Sequence, residues 1–160
     1  MFHGSIEVSR KRLKLLATIA DETLRTALLE DALSAGVASF DALGKTLRRK
    51  HPNVLPERPR NLFQNLYALD DALQKAAGSP LSASFPADDY MLLIRMFQVR
   101  HIYQHNAGVV DEHFCRNVPD TRSRRGRKYR LEPTEVSRFL ELLRSLASAV
   151  TARLANPSAT

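Results

Sequence analysis

Between Met91 and Tyr103, nine of thirteen residues are Met, Leu, Ile, Phe, Val or Tyr. At 100° per residue these side chains point almost all round a helix, and a helix of that kind belongs in an interior. The rest of the chain must therefore pack around this segment. Arg95, Gln98, Arg100, His101, Gln104 and His105 interrupt it, and a buried charged or titratable group is costly unless paired, solvated in a cleft or used chemically. The interruptions are where chemistry is expected.

The flanking sequence supplies partners of the same kind. From Ile6 to Lys50 the pattern is helical, with Leu24, Leu28, Leu29, Leu33, Val37, Phe40, Leu43 and Leu47 on three- and four-residue steps. Asp21 and Glu22 divide it into a short first helix and a longer second one. Gly36 and Gly44 lie inside the second, where a neighbouring helix can approach closely. Three prolines between His51 and Pro59 make a loop. A helix is expected over Arg60 to Ala77, with Leu62, Leu66, Leu69 and Leu73 as its stripe and Gly78 as its stop. After a connector over 79–86, Asp88 and Asp89 complement the dipole of the apolar helix, which ends near Asn106 with Gly108 free to take positive φ. Residues 116–130 read as a loop with a short turn or hairpin. Pro133 begins the last helix, whose stripe includes Val136, Phe139, Leu140, Leu143 and Val150, and Asn156 to Thr160 form a frayed tail. Strand signals and repeats are missing. The expectation is a single all-α domain over 1–160, a bundle of four to five helices.

Composition narrows the function classes. One cysteine, Cys115, excludes an intrachain disulfide, and no window has the unbroken apolar length of a membrane span. A soluble, cytoplasmic protein with no membrane partner is expected. The net charge is +7, and residues 116–130 hold seven Arg or Lys against one Asp. Such a cluster suits a polyanion, and RNA or DNA above a membrane because no apolar face accompanies it. The candidate RNA-binding residues are Arg116, Arg122, Arg124, Arg125, Arg127, Lys128 and Arg130.

Arginine and histidine near one helix end suit RNA cleavage without a metal. The 2′-hydroxyl already lies beside the scissile phosphate, so the enzyme must move two protons and stabilise an electron-rich phosphorane. Histidine exchanges protons near neutrality, and arginine grips phosphate oxygens in a planar fork. Arg100 and His105 are 140° apart in azimuth on a helix, so they do not stack, although both can border one cleft.

The run Arg100-His101-Ile102-Tyr103-Gln104-His105-Asn106-Ala107-Gly108 and its acidic continuation Asp111-Glu112 resemble the motif helix of the HEPN superfamily, small helical proteins with Arg-x(4 to 6)-His near the end of a core helix. Phe40-Asp41-Ala42-Leu43 in a long preceding helix, and Leu62-Phe63-Gln64-Asn65-Leu66 in the next, fit the same order. The resemblance covers residues 24–154, with its specific part in the motif stretch. It implies a metal-independent endoribonuclease of toxin or antiviral defence type, acting as a homodimer across a shared cleft. Whether an antitoxin or nucleotidyltransferase partner accompanies it is left open by the sequence. Carried over, Arg100 holds phosphate, His105 handles the proton, and His101 and Asn106 are auxiliary. No cofactor or metal is expected.

Plainer readings stand beside these. Arg100 could pair with a carboxylate and His105 cap the helix. His101 and His105, four apart on one face, could ligate a metal with His113, Asp111 or Glu112 nearby, though no Cys pair or Glu-x-x-His partner completes the set. The basic segment could be only solvated. Phe97 and Tyr103 read as core residues, not stacking platforms. The alternative function is a non-catalytic helical module that binds RNA or protein. A dimer interface on the motif helix is expected because its apolar residues exceed what a small bundle's own core consumes.

Overall fold

The computed structural model describes residues 2–118 and 123–155. Six α-helices run through them: α1 (Phe2–Leu15), α2 (Glu22–Lys50), α3 (Leu66–Ala77), α4 (Ala87–Asn106), α5 (Glu112–Asn117) and α6 (Pro133–Ala155). Among the described residues no strand forms, and the all-α expectation holds. The helix count exceeds the expected four to five because of α5. Its start is fixed by Asp111, whose carboxylate accepts from the Phe114 amide at 2.7 Å, and its one large apolar side chain, Phe114, is fully buried.

Local chemistry sets the other boundaries. Asp21 caps α2 through the Leu24 amide at 3.0 Å, and Gly78 ends α3 at φ 72°. The helix expected from Arg60 does not form as one piece. Leu62–Gln64 is a 3-10 turn, and Asn65 leaves helical geometry to cap α3 through the Ala68 amide at 3.2 Å. The run Leu62-Phe63-Gln64-Asn65-Leu66 is therefore a turn and a cap, with only Leu66 in the helix. An asparagine offers the first free amides an acceptor, and that competes with continuing a helix. The kink drives the Phe63 ring onto Gly44 of α2, where any β-carbon would overlap it.

The segment 91–103 sits where its composition requires. α4 packs against α2, α5 and α6, burying Leu93, Ile94, Met96, Phe97, Val99 and Ile102. Four aromatic rings cross the interior in series: Phe63 to Phe40 at 5.5 Å, Phe40 to Phe97 at 6.0 Å, and Phe97 to Phe139 at 5.7 Å. These offset and edge contacts tie α2, α4, α6 and the 3-10 turn into one core. Met91, Leu92 and Tyr103 of the same helix stay half-buried at the edge of that core. The large apolar side chains exposed among the described residues are Val8, Leu15, Leu24 and Tyr67, none of them on α4.

Two cross-links set α4 in rotation. Arg95 donates to Glu135 of α6 at 3.0 Å, with both side chains largely buried, and the Tyr129 hydroxyl donates to the other Glu135 oxygen at 3.1 Å. Arg138 of α6 clasps Asp89 at 2.9 Å. Arg95, an interruption in the apolar run, is thereby accounted for as a structural ion pair. Among the described residues no helix is long and apolar enough to cross a membrane.

Candidate nucleic-acid site at the end of the core helix

α4 ends in a tight left-handed turn. Ala107 has φ 48° and Gly108 φ 79°, and the Gly108 amide donates back to the Ile102 carbonyl at 3.0 Å. Tyr103 lies directly over Gly108, so a side chain there would meet its ring as well as the strained backbone. Asn106 donates from Nδ2 to the Val109 carbonyl at 2.8 Å. Its amide closes the turn, a structural duty that the auxiliary assignment did not foresee.

The turn returns the chain so that α5 lies beside α4, and three imidazoles meet. The His101 and His105 rings are 4.7 Å apart, as four-residue spacing on one helix face allows, and His113 of α5 lies 5.8 Å from His101. All three residues are exposed. His113 Nε2 is 2.9 Å from Asn117 Nδ2; with the amide donating, Nε2 accepts, which corresponds to the neutral ring protonated on Nδ1. Asn117 Nδ2 also meets the His113 carbonyl at 3.0 Å.

Partial burial lowers the His101 pKa, and the neighbouring charges of His105, His113 and Arg100 lower it further, against an opposing pull from Asp111. A depressed folded-state pKa adds stability that is present above the ordinary histidine value and is lost as pH falls through the folded value. Urea unfolding should therefore show lower stability at about pH 5 than at about pH 7, and His101→Gln should reduce that difference. An unchanged pH dependence in folded His101→Gln would remove His101 as its source.

Arg100 is placed otherwise. Its guanidinium Nη1 donates to Gln64 Oε1 in the 3-10 turn at 3.1 Å, while Nε is buried with no hydrogen-bond partner among the described residues. Burial lowers its pKa and the buried carboxylate of Asp41 opposes the shift. Asp41 also holds Lys45 at 2.9 Å. Among the described residues no hydrogen bond or ring contact joins Arg100 to His105; the positive charge of Arg100 acts on its neighbour His101. Arg100 and His105 both lie within the one helix α4, and the plain reading of Arg100 as a carboxylate partner is met in part by the charge of Asp41.

The basic segment is docked. Val109 and Lys128 form an isolated antiparallel bridge, and backbone bonds run from Val110 to Arg127, from Gly126 to Val110 and from Tyr129 to Gly108 at 2.8–2.9 Å. The Tyr103 hydroxyl donates to the Tyr129 carbonyl at 2.6 Å, and Lys128 Nζ lies 5.7 Å from the centre of the Tyr103 ring. Residues 126–129 are thus fastened to Gly108, Val109 and Val110, just beyond the turn that ends the motif helix. Arg124, Arg125, Arg127, Lys128 and Arg130 remain exposed; Arg125 lies 3.8 Å from Glu112, and Arg130 lies 3.3 Å from Glu132. Arg116 belongs to α5 instead of the loop, and Arg122 falls outside the described residues.

Phe97 is buried and Tyr103 half-buried, as their core reading requires. Gln64, Asn117 and Tyr67 were not among the site residues expected from the sequence, and His113 entered there only as a possible metal ligand. The Asp111 cap ahead of His113 and the four-residue step to Asn117 were the available signals. Among the described residues no group of three or more His, Cys, Asp or Glu is arranged to hold a metal ion. Comparison with protein-family models, with curated proteins and with solved structures finds no match.

Proposed function

We propose that this chain is a metal-independent endoribonuclease of HEPN type, working as a toxin or antiviral defence effector in the cytoplasm. One observation carries the reading: three exposed imidazoles gather at the end of a buried helix, with an arginine one residue away and a basic segment fastened alongside. Charge on His105 or His113 disfavours protonation of His101. Such a set offers a neutral imidazole to take the 2′-hydroxyl proton and a charged one to protonate the leaving oxygen. Arg100, oriented by Gln64, supplies positive charge for the phosphorane, and the arginines of 124–130 draw in the strand. The homodimer rests on the resemblance and on the apolar girth of the motif helix, and an antitoxin or nucleotidyltransferase partner is an open part of the proposal.

The test is cleavage of a single-stranded oligoribonucleotide in EDTA. Products should end in 2′,3′-cyclic phosphate, and one 2′-deoxy sugar at the scissile position should block the cut. Cleavage that needs a divalent ion, or that ignores the 2′-deoxy substitution, would sink the mechanism. The second reading is a non-catalytic module that binds RNA or protein. It is favoured by Arg100 being tied to Gln64 beside Asp41 and by Asn106 being spent on the turn. Salt-dependent RNA binding with no cleavage would select it.

A further inference from the structure

A cavity of about 430 Å³ opens beside the histidines, lined by Asn65, Tyr67, Gln98, His113, Arg116 and Asn117. We propose that it receives a nucleobase of a single-stranded RNA, next to the phosphate that the histidines address. The proposal rests on the endoribonuclease reading for the identity of the strand, and on the cavity for the site. Its volume lies in the range of small-molecule sites.

The lining has the chemistry of base recognition. Tyr67 is 46% exposed, the one aromatic among the large apolar side chains left in solvent in the described residues. Its ring is nevertheless held: the hydroxyl donates to the Asn117 carbonyl at 2.7 Å, bridging α3 to the end of α5. A fixed, solvent-facing ring loses little freedom when a base stacks on it. Around it stand three side-chain amides: Asn65, whose Oδ1 caps α3, offers Nδ2 as a donor; Asn117, whose Nδ2 is held by His113, offers Oδ1 as an acceptor; Gln98 offers both; and the exposed guanidinium of Arg116 suits a phosphate. His113 belongs both to the cavity and to the imidazole cluster, 5.8 Å from His101. A base in the cavity would thus place its own backbone beside the proton-transfer groups.

A free nucleotide shares this chemistry, so the experiment separates the two sources. Fluorescence anisotropy would use a labelled hexaribonucleotide with 2′-O-methyl sugars throughout, which cannot be cut by 2′-hydroxyl attack. Tyr67→Ala should weaken binding about tenfold, within the range for one base–aromatic stack, while Tyr67→Phe keeps most of the affinity. An abasic position that removes the stacked base should erase the difference between wild type and Tyr67→Ala. Folded Tyr67→Ala protein, with an unaltered circular dichroism spectrum and wild-type affinity, would overturn the proposal. Nucleoside monophosphates should compete only weakly; competition equal to that of the hexamer would overturn the assignment to a strand. If wild type fails to cut natural RNA but the Tyr67 dependence holds, the nuclease reading falls and the cavity stands. If it cuts while Tyr67 proves irrelevant to binding, the reverse is true.

Discussion

His105→Ala should slow RNA cleavage by about 100- to 10,000-fold, the usual contribution of a positioned acid or base, and leave strand affinity nearly unchanged. The side chain is exposed at the last turn of α4, and its only ring contact among the described residues is with His101, so the variant should fold as wild type does. Single-turnover rates under saturating enzyme isolate the chemical step from binding. Substituting His101 or His113 separately tells which imidazole serves as the partner: losing the one that moves protons should abolish one limb of the pH–rate profile, whereas losing a neighbour that acts only through its charge should displace a limb and keep it. Arg100→Lys should rescue poorly, because an ammonium reproduces neither the planar fork nor its fixed hold on Gln64. A folded His105→Ala protein that cuts at the wild-type rate removes His105 from the mechanism.

The second large effect concerns stability. Phe40→Ala should cost about 4 kcal/mol, in the range for deleting a fully buried phenylalanine. Phe40 is 0% exposed and is the middle link between Phe63 and Phe97. Its loss opens a cavity and also frees the Phe63 ring, whose seat on Gly44 then has no wall on one side. Since small domains have only about 5–15 kcal/mol in hand, a loss of this size removes a large share of the total. Chemical denaturation should show a much lower midpoint at unchanged slope. A cost below about 1 kcal/mol, typical of a surface site, would mean that the aromatic series is not the centre of the core.

Helix identity was legible because each long helix carries an apolar stripe or, in α4, an apolar girth. The shorter features were hidden by what contact does. α5 has six residues and one large apolar side chain, too little for periodicity, and its signal was the Asp111 cap. At Asn65 the leucine spacing continues across a backbone that does not, because the side chain serves α3 as a cap. The apolar girth of α4 is shared among α2, α5 and α6, and which neighbour takes which side chain has no mark in the sequence. At the candidate site, the His101 and His105 pair follows from their spacing on α4. His113 joins them only through the left-handed turn at Ala107 and Gly108, and Tyr67 reaches Asn117 across fifty residues of sequence. Neither relation has a local signature.

The backbone ladder that pins 126–129 to 108–110 changes the thermodynamics of any encounter with a polyanion. A disordered basic tail must lose conformational freedom at the moment of binding, which offsets part of its electrostatic gain. Here the main chain beneath Arg127 and Lys128 is already ordered by the fold, so the entropy was surrendered during folding. Association through this segment should therefore resemble the docking of a rigid charged rail, with strong salt dependence and little heat-capacity signature of coupled folding.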